Sequence, residues 1–343
     1  MNPLGTLSAR HFDILHAIVQ SYIDTGEPVA SRVVARHHTL SAASIRNMMA
    51  DLAEEGFLSQ PHTSAGRIPT EKAFQSYAKT LAGSRIVQAE INRLQVELKR
   101  SPTVEDRIEK TSKLLTELTR QLGIAAAIPS EDQKLDQIEL MLLPDRRVLI
   151  VVVTRDKMVR HKVVAVDDRL TQDELISIRN YINFNFHGWV LPAIHRELKR
   201  RFDLENAAYD DILKRVNLLY LKGMLDVGLA PQVYFDGVGN LIGLDLHLTR
   251  ERMRELFRAL EEKKRILDLL SRFLEQPHGE LGIHVGLAEA HPSMSELSLI
   301  GIRLELGNGL DANVAVLGPM RMNYAKAVSA VLHVGRAFKS ATV

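Results

Sequence analysis

Apolar residues recur every three or four positions near the start of the chain, a spacing that predicts amphipathic helices. A first helix is predicted from Ser8, whose hydroxyl can cap it, to Gly26, which ends it. A short second helix at 30–37 and a third at 42–55 follow. The inward positions are Phe12, Leu15, Val19, Tyr22 and Ile23 in the first helix and Ile45, Met49 and Leu52 in the third.

A hairpin is predicted directly after the third helix. Short strand candidates at 57–60 and 67–68 flank a turn that contains proline and glycine. Thr70 can cap a further helix, which is predicted to continue as a polar, charged linker to about Arg100. Three helices followed by a hairpin are the order of a winged helix-turn-helix, in which the third helix enters the major groove of DNA.

From about residue 103 the pattern changes. A helix to Gln121 leads into β-branched runs, which charged turns divide into an antiparallel meander. Helical periodicity returns over 168–226, and the remainder alternates strand candidates with two helices. We expect an α+β chain of several domains. The predicted strands are 138–143, 148–154, 159–166, 232–235, 282–285, 297–306 and 312–317, and the two late helices are 249–275 and 323–338.

The composition excludes several classes of protein. The 343 residues are 25% charged and 45% hydrophobic, as in ordinary globular proteins, and their number suits two or three domains. Cysteine is absent, so disulfides and thiolate metal ligands are excluded. The longest apolar run, Val148–Val153, is far shorter than the ~20 residues of a membrane span. The first residues lack the pattern of a secretion signal. We therefore expect a cytoplasmic protein without a membrane partner.

The outer face of the third helix suits contact with bases. It carries Ser44, Arg46 and Asn47, and arginine and asparagine can bond bidentately to guanine and adenine, respectively. The hairpin carries His62, Thr63, Ser64 and Arg67, and no carboxylate lies between Gly56 and Thr70. Hydroxyls, backbone N–H groups and one arginine suit phosphate or minor-groove contact.

The net charge neither requires nor excludes nucleic acid. The whole chain has a formal charge of +2, and residues 1–80 hold seven basic and seven acidic residues. A single copy should therefore bind DNA weakly without regard to sequence. The acidic residues avoid the segment from Pro28 to Ala50, which contains three arginines. The alternative interpretation is a helical bundle that contacts protein.

Other groups of residues that resemble functional motifs are better explained by structural roles. Gly237–Gly243 is one residue too long for a dinucleotide fingerprint. His278, His284 and His291 lack metal-ligand spacing, and Arg321 and Tyr324 occupy a strand-to-helix junction. We predict no catalytic, cofactor-binding or metal-binding residue. A regulator gated by a small molecule, or an enzyme built on the α/β part, stays the alternative class.

Two segments make a family resemblance visible. Residues 43–70, ASIRNMMADLAEEGFLSQPHTSAGRIPT, and residues 316–328, VLGPMRMNYAKAV, resemble the HrcA family of heat-inducible repressors. The resemblance implies a winged helix followed by a GAF-like α/β domain that an inserted, mainly helical dimerisation subdomain interrupts. The expected parts are the winged helix at 1–80, a helical linker at 81–102, the GAF-like domain at 103–167 and 229–343, and the insertion at 168–228.

The resemblance also implies a function. The family binds CIRCE, an inverted repeat upstream of chaperonin and DnaK operons, as a homodimer, and is not an enzyme. The GroE chaperonin is the expected modulator, and repression ends when heat diverts it. No cofactor is expected. Ser44, Arg46 and Asn47 would read bases in double-stranded DNA. The DNA backbone would be held by Ser31 and Arg32 together with the hairpin residues His62, Thr63, Ser64 and Arg67.

Overall fold

Helices and strands alternate along the chain in an α+β arrangement. The computed structural model describes residues 7–60, 66–81, 88–129, 133–155, 157–167, 169–204, 211–226, 231–242, 249–307 and 310–342. Three hydrophobic cores lie within these ranges, two of them on opposite faces of one sheet.

The first helices and the hairpin form the N-terminal unit (7–60 and 66–81). Its elements are α1 (Ala9–Thr25), α2 (Ser31–Ala35), α3 (Ala42–Glu54), β1 (Leu58–Ser59), β2 (Ile68–Pro69) and α4 (Glu71–Leu81). The Ser8 hydroxyl accepts a hydrogen bond from the His11 amide, and Gly26 ends α1 in the left-handed conformation at φ 73°. Strands β1 and β2 pair antiparallel. The predicted helices and hairpin pairing are confirmed.

Two helices connect this unit to the rest of the chain. They are α5 (Gln88–Lys99) and α6 (Val104–Thr119). Thr103 caps α6 in a reciprocal capping box with Asp106. The predicted linker contains α5, whose Ile91, Leu94 and Leu98 are buried in the same core as the N-terminal unit. Helix α5 is therefore a packed part of the body of the protein.

A five-stranded antiparallel sheet forms the centre of the sheet unit (88–129, 231–242, 249–307 and 310–342). Its order is β7 (Gln232–Asp236), β3 (Leu122–Pro129), β10 (Leu310–Pro319), β9 (Leu297–Gly307) and β8 (Leu281–Val285). One face packs against α5, α6 and α13 (Tyr324–Thr342). The other face packs against α11 (Arg250–Glu261) and α12 (Lys263–Phe273), and a short α10 (Val238–Ile242) follows β7.

Two elements of this unit differ from the sequence prediction. Strand β3 was not predicted, because its centre, Ala125–Ala127, is buried on both sides and shows neither alternation nor β-branching. The single helix predicted at 249–275 is two helices that meet at Glu262, whose backbone is extended. The break falls in the charged run Glu261–Lys264, where no apolar side chain holds the helix to the core.

The meander forms a separate three-stranded unit (133–155, 157–167, 169–204 and 211–226). Strands β4 (Leu135–Leu143), β5 (Arg147–Thr154) and β6 (Val159–Ala165) pair antiparallel, and helices α7 (Gln172–Phe186), α8 (Leu191–Leu204) and α9 (Asp211–Leu221) share their core. The expected grouping joined the meander to the GAF-like part and began the insertion at 168. The inward side chains of β4–β6 pack on the following helices, so a boundary at 167/168 would divide one core.

Helix α7 runs beside the outer edge of β4. The side-chain amide of Asn183 bonds to both backbone groups of Ile138, at 2.8 and 3.0 Å. Gln172 accepts from the Leu142 amide at 2.9 Å and donates to the Leu140 carbonyl at 3.2 Å. These two amides therefore replace the strand that β4 lacks on this side.

Tyr324 joins the N-terminal unit to the sheet unit. It is fully buried, with its ring 5.9 Å from that of Phe74 and 6.2 Å from that of Tyr77. Its hydroxyl donates to the Met320 carbonyl at 2.8 Å and lies 3.0 Å from the Ser298 hydroxyl. Burial raises the pKa of the Tyr324 phenol well above its usual range, so the group is neutral.

We predict that Tyr324 contributes strongly to stability. Tyr324→Ala should lower the free energy of unfolding by about 3–5 kcal/mol because it empties a filled site, and Tyr324→Phe by about 1 kcal/mol because it removes the shared hydroxyl. Urea denaturation measures both. Tyr22→Phe is the matched control, since the structure shows no hydrogen bond for that hydroxyl among the described residues. A Tyr324→Ala variant as stable as the parent would contradict the prediction.

Candidate nucleic-acid interface

Helix α3 presents one apolar and one polar face. The Ser41 hydroxyl caps it by accepting from the Ser44 amide at 3.1 Å. Ile45, Met49 and Leu52 are buried, as the sequence predicts, and this orients the helix. The predicted base-reading residues Ser44, Arg46 and Asn47 are all exposed.

A groove lies between α2, α3 and the hairpin. It has a volume of about 410 Å³ and its lining includes Arg32, Arg46, Arg67 and Gln60. No carboxylate is among the lining residues that the structure describes. Three guanidinium groups therefore border one concave surface, and guanidinium is the side-chain group best suited to phosphate oxygens.

An isolated β-bridge holds the hairpin against the start of α2. The amides and carbonyls of Val29 and Arg67 exchange two hydrogen bonds of 2.9 Å. A Cβ on Gly66 would lie 2.5 Å from the Val29 carbonyl, so this approach requires glycine. Sequence reasoning found Arg67 but missed the bridge and Gln60, because a two-residue contact between distant segments has no periodic signal.

The remaining predicted contact residues differ in how far the structure describes them. Arg32 is exposed and lines the groove. Ser31 also lines it but is only 7% exposed, so its side chain offers little surface. His62, Thr63 and Ser64 lie outside the described residues.

The acidic residues of this unit lie away from the groove. Asp51 pairs with the His11 ring at 3.2 Å, on the part of α3 that follows Ala50. At the end of α3, the Lys72 ammonium donates to the Glu55 carbonyl at 2.7 Å and lies 4.1 Å from the centre of the Phe57 ring. The positive groove and the acidic end of α3 are thus separated along one helix.

The titratable groups of this unit with shifted pKa values are not among the residues that line the groove. Burial lowers the pKa of His16, whose ring packs between Phe12 and Tyr77, and Asp13 partly offsets this. Burial, and then the charge of Glu296, raise the pKa of Glu71.

The three late histidines have structural partners in this structure. His278 pairs with Asp311 at 3.3 Å, His284 packs on the Phe273 ring at 4.9 Å, and His291 caps a short 3₁₀ turn. No group of three or more metal-ligating side chains occurs in the part of the chain that the structure describes. Within that part, no helix is long and apolar enough to cross a membrane.

Comparison with known proteins identifies the family. Residues 105–328 match the family model described as HrcA protein C terminal domain. A protein of Sorangium cellulosum named heat-inducible transcription repressor HrcA is 35% identical, with 96% of each chain covered. The chain belongs to the HrcA family. Another relative of that name, from Geobacter sulfurreducens, is 34% identical, with 95% of each chain covered.

A solved structure shares the fold of the HrcA chain. It is described as a crystal structure of a hypothetical protein at 2.2 Å resolution. The TM-score is 0.61 at 20% identity, and the match covers 98% of this chain and 99% of the other. Because HrcA proteins are transcription repressors, membership confirms the expectation that this chain is not an enzyme.

Proposed function

We propose that this protein is a heat-inducible transcription repressor that binds double-stranded DNA through a winged helix. The observation that carries the proposal is the groove with three arginines beside the exposed polar face of α3. The DNA is the CIRCE inverted repeat upstream of chaperonin and DnaK operons, and the protein acts in the cytoplasm. The names of the relatives support the assignment as a heat-inducible repressor.

Within this proposal the contacts fall into two classes. Helix α3 enters the major groove, where Arg46 bonds to guanine, Asn47 to adenine, and the Ser44 hydroxyl to a further base. Arg32 and Arg67 hold phosphates on either side of α3, and the Val29–Arg67 bridge fixes their separation. The winged helix spans residues 1–80, and His62, Thr63 and Ser64 belong to the wing that follows the backbone.

An inverted repeat requires two copies related by a two-fold axis. The neutral N-terminal unit makes a single half-site contact weak, and joining two such units raises the effective concentration of the second. Two winged helices in one homodimer therefore supply the affinity that one lacks. We propose that the GAF-like domain and its insertion hold the two copies together.

The three-stranded unit offers a surface for this dimer. Its outer face is turned away from α7–α9, and its apolar residues are Met141, Leu149, Val151, Val153, Val159 and Val163. Met141 is 56% exposed and Val163 45% exposed. A sheet with water on one side normally alternates apolar and polar residues, whereas on the outer face of this sheet the apolar side chains outnumber the polar Gln137, Glu139, Arg147 and His161 that share it. A second copy placed face to face would remove this surface from water.

We propose that the GAF-like domain and the dimerisation insertion correspond to the two larger sheets and the helices packed on each. The five-stranded sheet with helices on both faces is the GAF-like part, and the three-stranded unit is the insertion. The insertion thus includes the meander as well as the 168–228 segment first expected.

GroE chaperonin is the proposed modulator of the active state. The Phe74–Tyr324 contact joins residues that are far apart in the chain. The N-terminal unit can therefore dock on the sheet unit only after the last helix has been synthesised. Such non-local contacts slow folding and leave apolar surface exposed in intermediates. A chaperonin that shelters these intermediates would set the amount of active repressor, and its diversion by heat would lower that amount.

Arg46 and Arg67 should differ in how their removal affects DNA binding. Arg46→Ala should weaken binding to the operator by about 10- to 100-fold and relax the preference at one base pair in each half-site. Arg67→Ala should weaken operator and scrambled duplexes equally and reduce the salt dependence, since it removes a phosphate contact. Arg10→Ala, outside the groove, is the control. Equal losses on both duplexes in Arg46→Ala would show that Arg46 does not read a base.

The outer face of the three-stranded unit should govern dimer formation. Val163→Asp should raise the dimer dissociation constant by about 100-fold or more, because a carboxylate would be buried without a partner. Sedimentation equilibrium measures the change. Phe184→Asp alters an exposed aromatic residue on α7 and should leave the dimer intact. The reverse pattern would place the interface on the helices instead.

Chaperonin should increase the recovery of active repressor. Protein denatured in urea and diluted with or without GroE chaperonin should differ several-fold in the fraction that binds operator DNA. Identical recovery would remove the chaperonin from the proposal while leaving DNA binding untouched.

A further inference from the structure

A second basic cavity lies far along the chain from the DNA-binding groove. It forms where the end of α5, the start of α6, the β5–β6 turn and the end of α13 meet, and its volume is about 450 Å³. This is within the range of small-molecule sites in proteins. The lining residues are Lys99, Pro102, Thr103, Val104, Arg107, Arg155, Lys157, Ser340, Ala341 and Thr342.

Four of the lining residues are cationic. They are Lys99, Arg107, Arg155 and Lys157, and the lining residues that the structure describes include no carboxylate. Four like charges around one cavity repel one another, and an anion in the cavity would relieve that repulsion. The first turn of α6 carries two acids outside the lining: Glu105 accepts from the Val159 amide at 3.0 Å, and Asp106 accepts from the Thr103 amide and hydroxyl at 3.3 and 2.7 Å.

The backbone holds the Arg107 guanidinium in place, and Lys157 lies in a turn with an unusual backbone conformation. The Arg107 guanidinium donates to the Ala341 carbonyl at 3.0 Å, and its buried Nε has no partner among the described residues. Lys157 has a left-handed backbone at φ 63°, and its amide donates to the Thr154 carbonyl at 2.7 Å. Non-glycine residues in this conformation are strained and are common in binding sites.

Unpaired polar groups also point to a ligand. The hydroxyl of Thr342 is buried and lacks a hydrogen-bond partner within the described residues. Thr342 and Arg107 both line the cavity, and no described protein group accepts a hydrogen bond from the Thr342 hydroxyl or the Arg107 Nε. Helix α6 begins at Val104, so its N-terminal dipole adds a further positive contribution.

We propose that this cavity binds a small anion that carries a di- or triphosphate group. Several adjacent oxyanions match four cations better than a single carboxylate does. The cavity shares no lining residue with the groove formed by Arg32, Arg46 and Arg67. Bound anion would join the three-stranded unit, through Arg155 and Lys157, to α6 and α13 of the sheet unit. The proposal does not depend on DNA binding.

The test measures binding of sodium tripolyphosphate to the full-length protein by isothermal titration calorimetry at constant ionic strength. We expect saturable binding, and a melting temperature that rises with ligand concentration. Lys157→Gln, on an exposed turn, and Arg107→Gln should each weaken binding by about tenfold or more. Lys113→Gln is the control on α6, since it removes one charge outside the cavity where Lys113 pairs with Glu109 at 2.6 Å.

Further ligands distinguish the source of the phosphate. Equal affinity for ATP and tripolyphosphate would mean that the protein recognises the phosphates alone. Tighter binding of ATP would mean that the ligand is a nucleotide. Either result supports the proposal. The proposal is wrong if tripolyphosphate does not saturate, if Lys113→Gln weakens it as much as Lys157→Gln does, or if operator DNA displaces it. The last result would assign these cations to DNA.

Discussion

The packing of Tyr324 between Phe74 and Tyr77 is the contact on which the arrangement of this molecule depends. It makes the first helices, the last helix and one face of the five-stranded sheet a single apolar core. The Arg321 guanidinium strengthens the same contact, because it lies 5.9 Å from the centre of the Tyr22 ring. It also packs directly on Gly26, where a Cβ would lie only 1.8 Å from the guanidinium of Arg321. The orientation of α3 relative to the sheet is therefore set by close packing.

Local features of this fold could be predicted from the sequence because each depends on a few neighbouring residues. Ser8 and Thr103 are oxygen-bearing residues just before amphipathic runs, and both cap helices. The spacing of Ile45, Met49 and Leu52 decides which side of α3 is buried, and it thereby exposes Arg46 and Asn47. The exposure of the proposed base-reading residues thus follows from periodicity alone.

Features that depend on contacts between distant segments could not be predicted in this way. The alanines of β3 become a central strand only because β10 and β7 flank them. The meander carries no signal that assigns it to the helices after it, and only the shared core shows this. Likewise, Arg32, Arg46 and Arg67 border one groove because Val29 bridges to Arg67. The sequence analysis gave Tyr324 a structural role at a strand-to-helix junction, but its partners on α4 were not apparent.

The two amides that cover the edge of β4 restrict how copies of this chain can associate. Gln172 and Asn183 already occupy the backbone groups of Leu140, Ile138 and Leu142 that a foreign strand would need. Strands from further molecules therefore cannot extend the sheet on this side, and growth into a fibre is blocked there. The face-to-face contact proposed for two sheets does not use this edge, and it would give a closed pair of limited size.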